Sequence, residues 1–326
     1  MSKKTFLVTG GNGYIGSHLC KLLAGQGHAV HIMDNFSTSP ERPVHAFGKF
    51  HSFDIADQEK ITQLVQEIKP DCLFHFAARA LVEESESHPF LYYQENVYKT
   101  LQLLQSYLSG GGKKIIFSST CATFGLPEYK TIDENHPQNP INSYGMTKKI
   151  MEMCMRDFAR REDLDVVVLR YFNVAGCSPD GDLGENHHPE THLIPNLCRA
   201  LVSSGKVPFN LFGDDYNTDD GSCVRDYIHV EDLVHAHYQA YDYLENKKGF
   251  FDFNLGPGKG YSVKQVITAF EKVANKKLEI QIKKRRPGDP AYLVANNSKA
   301  KKELNFKTKY DLEAMIEHTL NWFKKI

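Results

Sequence analysis

Apolar and polar positions along this chain alternate in blocks. Five short runs are almost continuously apolar: "TFLVTG" (5–10), "AVHIMD" (29–34), "DCLFHFA" (71–77), "KIIFSS" (114–119) and "DVVVLRYF" (165–172). Strands of this kind, with no polar face, are expected where both sides of a parallel sheet are covered. Between them, segments around 14–25, 57–69, 94–108 and 144–162 carry apolar residues at helical spacing. The alternation predicts an α/β fold, a Rossmann-type doubly wound parallel sheet with helices on both faces. After about residue 173 the texture changes to loops rich in Gly, Pro, Asp and His. A smaller C-terminal α/β substrate lobe is expected there. The expected division is 1–173 for the first domain, which also receives segments around 225–245, and 174–326 for the second.

Composition narrows the class. The 326 residues are 41% hydrophobic and 24% charged, as in globular proteins, with a formal net charge of -1. That balance offers no attraction for nucleic acid or an acidic membrane surface. No apolar run approaches the roughly 18 residues of a membrane span. The opening "MSKKTFLVTGGNG" runs straight into glycines and reads as a first strand, not a signal peptide. Seven scattered cysteines without a C-x-x-C favour buried thiols in a reducing cytoplasm.

Directly after the first strand comes "GGNGYIG" (10–16), in which Gly10, Gly13 and Gly16 satisfy G-x-x-G-x-x-G. The motif closes a strand and opens a helix, the context in which bare backbone and a helix N-terminus can bind a pyrophosphate. Asp34 ends the second strand 21 positions after Gly13. A carboxylate there accepts hydrogen bonds from the adenosine ribose and repels a 2′-phosphate. No arginine follows in "DNFSTS", so NAD is expected over NADP. Asp54, beyond a third strand, is placed to reach the adenine. "GPGKG" (256–260) lacks this context and is expected to be a turn.

"SYGMTK" (143–148) sets Tyr144 four positions before Lys148, one turn apart on the same helix face. The strand "KIIFSS" ends upstream in Ser118, Ser119 and Thr120, and strand C-termini of a doubly wound sheet face the ligand. A hydroxyl, a phenol and an ammonium thus converge beside the cofactor. For a tyrosine of pKa ~10 to act as a base near neutrality, its pKa must fall by roughly 3 units, about 4 kcal/mol. A cation ~5 Å away contributes roughly 3 kcal/mol at an effective dielectric of ~20. Lys148 plus the positive ring of oxidised NAD would suffice. Tyr243 and Lys247 repeat the spacing without such a strand and are expected to be a surface pair.

These residues, together with "GGNGYIGSH", "HFAA", "FSSTCATFG", "RYFNVAG", "GDDYNTDDGSCVRDYIHV" and "RRPGDPAYLVAN", resemble the extended short-chain dehydrogenase/reductases. The likeness is specifically to the UDP-glucose 4-epimerase family and its UDP-sugar relatives, over essentially the whole chain. It implies reversible 4-epimerisation of UDP-glucose and UDP-galactose: hydride passes from sugar C4 to tightly held NAD, and the 4-keto sugar turns over before the hydride returns. On this resemblance Thr120, Tyr144 and Lys148 are catalytic. Gly10, Gly13, Tyr14, Ile15, Gly16, Asp34, Asn35, Asp54, Ile55, Phe76, Ala77, Ala78, Asn96, Ser118 and Tyr171 join Tyr144 and Lys148 around the cofactor. Thr120, Tyr144, Asn173, Leu193, Phe212, Arg225, Arg286, Asp289 and Leu293 meet the UDP-sugar. Guanidinium forks suit its two phosphates. A cytoplasmic homodimer through two helices packed on their symmetry mates is also implied.

The chain departs from the family's pattern at Ala80, where many members carry a lysine near the cofactor, at Phe124 and at Ser143. Leu293, with Tyr292 just before it, aligns with the position that gates the sugar pocket. A bulky residue there favours hexoses over N-acetylated sugars, while UDP-pentoses stay open because "SSTCAT" also resembles pentose epimerases. A sugar-nucleotide 4,6-dehydratase would need an acid pair after Thr120, where this chain has Cys121 and Ala122. A non-catalytic NAD-binding protein would have no use for the poised phenol. His187, His188, Glu190 and His192 cluster in "HHPETH", but no closed ligand set accompanies them, so a polar substrate loop and no metal is the expectation.

Overall fold

The first strand sets the plan of the molecule, here a computed structural model that describes residues 2–40, 45–186, 189–203, 208–286 and 288–325. In β1 (Thr5–Thr9), Phe6 to Thr9 are all buried. Phe6 and Val8 enter one apolar layer and Leu7 the opposite one. Side chains alternate across a strand, so this one needs cover on both sides. The chain next forms α1 (Tyr14–Gly25), β2 (Ala29–Met33), β3 (Lys49–His51), α2 (Gln58–Ile68) and β4 (Cys72–His75). It continues through α3 (Val82–Ser87), α4 (Pro89–Tyr92), α5 (Lys99–Ser109), β5 (Lys114–Thr120), α6 (Ser143–Arg161) and β6 (Asp165–Tyr171). Each of the five apolar runs is a strand.

One expected helix differs. Residues 94–108 do not form a single α-helix, because Tyr93–Tyr98 makes a π-helical turn ahead of α5. Asn96 is buried in that turn, hydrogen-bonded to the backbone of Arg79 and to Thr147. Single π turns of this kind gather at functional sites.

The second half adds β7 (Asn173–Ala175), α7 (Leu193–Val202), β8 (Phe209–Phe212), β9 (Val224–His229), α8 (Val230–Leu244) and β10 (Phe250–Leu255). The last elements are β11 (Gly260–Ser262), α9 (Val263–Ala274), β12 (Ile280–Lys283), β13 (Tyr292–Leu293), α10 (Ser298–Glu303) and α11 (Leu312–Phe323). Among the described residues, seven strands make one sheet in the order β10-β6-β5-β4-β1-β2-β3. All its pairs are parallel. A second sheet joins β11, β9 and β13, with β7 also on β9, and β12 pairs with β8. The chain therefore returns to the large sheet late: α8 packs on α1, and β10 lies beside β6. The "VRDYIH" strand itself, β9, belongs to the smaller sheet. A third apolar layer under that sheet, from α7, α9 and α11, gives the second lobe its own core.

Phe6 is fully buried, edge-on to Tyr241 at 4.8 Å, His28 at 5.2 Å and Phe74 at 5.5 Å. Phe6→Ala is expected to lower the unfolding free energy by about 3–5 kcal/mol. A urea titration followed by circular dichroism checks it, a midpoint within error of wild type being the contrary result.

Candidate active site

The chain leaves β1 for one side of the sheet and returns at β4 for the other, and the strand order reverses between them. A doubly wound sheet opens a crevice at such a point, outside its C-terminal strand ends. Here it is a cavity of about 1320 Å³.

One end is built for a dinucleotide. A Cβ on Gly16 would stand 2.3 Å from the Gly10 carbonyl oxygen, so only glycine lets the turn close under α1. The N-cap of α1 is Gly13 and no side chain caps it, which leaves first-turn N–H groups for an anion. Asp34 is buried at the end of β2 and accepts from Asn12 N at 3.0 Å, Phe36 N at 2.8 Å and Ser39 Oγ at 3.1 Å. Those bonds fix its carboxylate at the lip with acceptor capacity left for ribose hydroxyls. Asp54 is held by Asn35 Nδ2 at 2.7 Å, Ala56 N at 2.9 Å and Lys99 Nζ at 2.9 Å. Burial raises its pKa, but these three donors outweigh burial and keep it below the usual carboxylate range. The donor set, the bare turn and the acid fit a dinucleotide.

Of the residues expected around that cofactor, all but Asn96 line the cavity. Asn96 spends its amide on Arg79 N at 2.8 Å, Arg79 O at 3.0 Å and Thr147 Oγ1 at 3.2 Å. It fixes the loop after β4 and does not line the cavity. Arg79 does line the cavity beside Ala80, with its guanidinium on Glu84 at 3.1 Å.

The chemical group sits where α6 meets β5. Asn142 caps α6 by accepting from Gly145 N at 2.8 Å. A Cβ on Gly145 would lie 2.4 Å from the Ala122 carbonyl, so the glycine lets the first turn of α6 press against the chain leaving β5. Tyr144 and Thr120 thereby share the cavity wall. Lys148, one turn on, donates to Ser118 O at 2.8 Å, and the Ser118 hydroxyl meets the Tyr171 phenol.

Electrostatics here departs from the sequence expectation. Burial pushes the Tyr144 phenol above its usual value, Tyr171 adds to that, and the Thr120 hydrogen bond opposes it. Burial also lowers Lys148 to about 7, against the pull of Glu152. The protein alone therefore does not create a phenolate, because desolvation exceeds what a single buried ammonium returns.

The other end of the cavity carries the cations. Arg225 is buried, ion-paired with Asp289 and bonded to Val224 O at 2.8 Å. The Arg286 guanidinium lies 4.3 Å over the Phe212 ring. Asn173 Oδ1 is buried without a hydrogen-bond partner among the described residues, and the residue lines the cavity. Leu293 lines it too, whereas Tyr292 turns away under Lys130, whose Nζ stands 5.0 Å from its ring. Of the residues expected on the sugar nucleotide, Leu193 alone stands outside. It opens α7 and packs into the second lobe's core.

His192, the preceding residue, is in the wall instead. Burial disfavours its charge, but Glu185 at 2.6 Å and Glu190 at 3.2 Å raise it to about 10. The ligand atoms of these three side chains all lie within 4.8 Å of one another, as a metal site would need, and the imidazolium already supplies a cation to both carboxylates. His187 and His188 lie outside the described residues. Tyr243 is spent on Glu303 at 2.8 Å and Lys247 follows the end of α8, so that pair is not a site. Gly258 turns the chain at φ +76° inside "GPGKG".

Sequence reasoning missed Glu185 and a buried Glu152–Arg170 pair behind Lys148, and gave His192 only as part of a polar substrate loop. The pair had a signal: an arginine in the apolar run "VVVLRYF" and an acid four positions after Lys148. Charges at buried positions need each other.

Residues 7–319 match the model of the family described as GDP-mannose 4,6 dehydratase. A UDP-glucose 4-epimerase of Rhizobium meliloti (strain 1021) is 44% identical over 325 residues, 100% of this chain and 98% of that protein. A UDP-glucose 4-epimerase of Halalkalibacterium halodurans is 43% identical over 320 residues, 98% of this chain and 95% of its own length. The crystal structure of UDP-glucose 4-epimerase from Brucella ovis in complex with NAD is 42% identical, with 98% of each chain covered and a TM-score of 0.94. The UDP-glucose-4-epimerase of Stenotrophomonas maltophila, with bound NAD and formylated UDP-arabinopyranose, is 35% identical over 99% of this chain and 98% of its own, with a TM-score of 0.95.

Gly16→Ala is expected to leave the protein folded and to abolish dinucleotide retention, because the new methyl forces the Gly10–Gly16 turn open. The absorbance ratio at 260 and 280 nm of purified protein, and calorimetry with added dinucleotide, check this. Unchanged retention would contradict it.

Proposed function

The chain belongs to the NAD-dependent epimerase/dehydratase family of extended short-chain dehydrogenase/reductases, and on that premise we propose how its cavity epimerises a sugar nucleotide. It catalyses UDP-glucose 4-epimerisation as an NAD-dependent isomerase. The observation that carries the assignment of roles is that Thr120, Tyr144 and Lys148 line the same cavity as the Gly10–Gly16 turn and Asp34.

On this reading the half of the molecule built on the large sheet holds NAD. The turn Gly10–Gly16 takes the pyrophosphate, Asp34 the adenosine ribose, and Asp54 with Ile55 flanks the adenine. When bound, NAD supplies the acceptor and donor of the C4 hydride and a positive charge that favours the phenolate. Tyr144 takes the proton from the sugar O4 and gives it back to the same oxygen when C4 is reduced on its other face. Thr120 orients that hydroxyl, and Lys148 holds the nicotinamide ribose beside Tyr144. Arg225 and Arg286 clamp the diphosphate, Asn173 donates to it through its side-chain N–H, Asp289 takes the uridine ribose and Phe212 the uracil. Leu293 closes the sugar end and favours unsubstituted hexoses.

Dehydration is disfavoured by the same wall. Cys121 and Ala122 line the cavity after Thr120, and burial pushes the Cys121 thiol up to about 12, so neither can deliver a proton to a departing hydroxyl.

The proposal extends to a homodimer. Phe90 on α4, Tyr98 in the π turn and Met153 on α6 are 80%, 60% and 58% exposed on helices that pack together. Apolar area of this kind on neighbouring helices is what a second copy covers. Among the described residues no helix is long and apolar enough to cross a membrane.

Purified protein with no added cofactor is expected to convert UDP-galactose to UDP-glucose, seen by proton NMR, and to act more slowly on N-acetylated sugars. A 4-keto-6-deoxy product would point to dehydration instead. Tyr144→Phe should keep its fold and its NAD but lose turnover by roughly 10²–10⁴-fold. Sedimentation velocity should show twice the 37.1 kDa chain mass, and Phe90→Glu with Met153→Glu should return it to one chain.

A further inference from the structure

Lys148 is buried among groups that give its charge little support. On β5 it donates to the Ser118 carbonyl and lies 4.9 Å from the centre of the Phe117 ring. Tyr144 precedes it by one turn on α6, and Tyr171 on β6 is bonded to Ser118. On β4, His75 spends its ring nitrogens on Thr9 at 2.7 Å and Thr100 at 3.2 Å, and burial first, then the Lys148 charge, keep it neutral. Among the described residues, the carboxylate acting on Lys148 is Glu152, one turn further along α6.

Glu152 is itself buried and held from three elements. Ser119 on β5 donates to Oε1, Arg170 on β6 donates through Nε at 3.0 Å and Nη2 at 2.7 Å, and Gln138 donates at 2.9 Å. Ser119 and Arg170 are register partners across the two strands, and Ser119 follows the residue whose carbonyl binds Lys148. Arg170 continues to Asp252 at 2.9 Å, and Asp252 to Lys299 at 2.9 Å. A buried ion pair adds little stability over an apolar pair of the same volume, so stability alone gives no reason to place this one here.

We propose that Glu152, locked by Arg170 and Ser119, is a positioning residue that keeps Lys148 in its ammonium form and seats the Tyr144 turn of α6 on β5. The proposal rests on the epimerase reading of the site, in which Lys148 acts beside Tyr144. Burial already brings Lys148 down to about 7. A carboxylate one helical turn away at an effective dielectric of ~20 contributes roughly one to two pH units. Without it the ammonium is lost below neutrality.

The test is a 13Cε-lysine NMR titration of Lys148, its signal assigned by loss in Lys148→Met, in the wild-type protein and in Glu152→Gln. The Lys148 midpoint is expected to fall by at least about one pH unit, tenfold in the proton equilibrium. The alkaline limb of kcat for UDP-galactose should move to lower pH by the same amount, and Glu152→Asp should restore most of it. If Glu152→Gln does not fold, the charge-balanced Glu152→Gln/Arg170→Met decides, since removing both members of a buried pair is tolerated better than removing one. A folded variant with an unchanged Lys148 midpoint overturns the proposal, as does an equal loss of kcat at every pH. If the wild-type protein fails to convert UDP-galactose, the epimerase reading falls, and the NMR midpoint still judges Glu152.

Discussion

The end of β5 presses against the first two turns of α6, and the chemistry hangs on that contact. Three consecutive residues face α6 or β6 there: Ser118 gives its carbonyl to Lys148, Ser119 its hydroxyl to Glu152, and Thr120 lines the cavity with Tyr144. Contact this close needs a residue without a side chain at Gly145, and a cap at Asn142 that starts the helix in register. Parallel pairing of β5 with β6 then brings Tyr171 to Ser118 and Arg170 to Glu152. A shift of one residue would turn each of these groups to the wrong side.

Burial dominates the electrostatics of the site. It raises the phenols of Tyr144 and Tyr171 and lowers Lys148, so the protein holds Tyr144 as a neutral phenol in a buried pocket. In such a pocket the positive charge of oxidised NAD acts with little screening. On the proposed roles, coupling base strength to the presence of the cofactor would let the phenolate form only where a hydride acceptor stands beside it. Epimerisation needs the hydride and the proton to leave and return together, and that coupling suits it.

The two lobes divide this work by charge. The large-sheet side offers backbone N–H groups and carboxylates, which suit a dinucleotide's pyrophosphate and sugars. The smaller side holds Arg225 and Arg286 against Asp289 and Phe212, partners that orient the guanidinium groups before an anion arrives. The strand order of the large sheet places the crevice between them, since β1 and β4 leave in opposite directions.

Much of this was legible in the chain. Continuous apolar runs can only be buried on both faces, so the parallel sheet was legible in residues 5–172, while its edge strand β10 came from far downstream. The glycine turn with Asp34, and Tyr144 with Lys148, carried their spacing in the sequence because each is set by one strand end or one helical turn. What tertiary structure decided lies across elements. Asn96 bonds a loop instead of lining the cavity, and Leu193 packs into a core while His192 lines the cavity. The raised phenol of Tyr144 and the Glu152–Arg170 pair behind Lys148 depend on what is buried beside what. Local spacing determines which residues share a face. Desolvation and partner geometry arise only when distant segments pack.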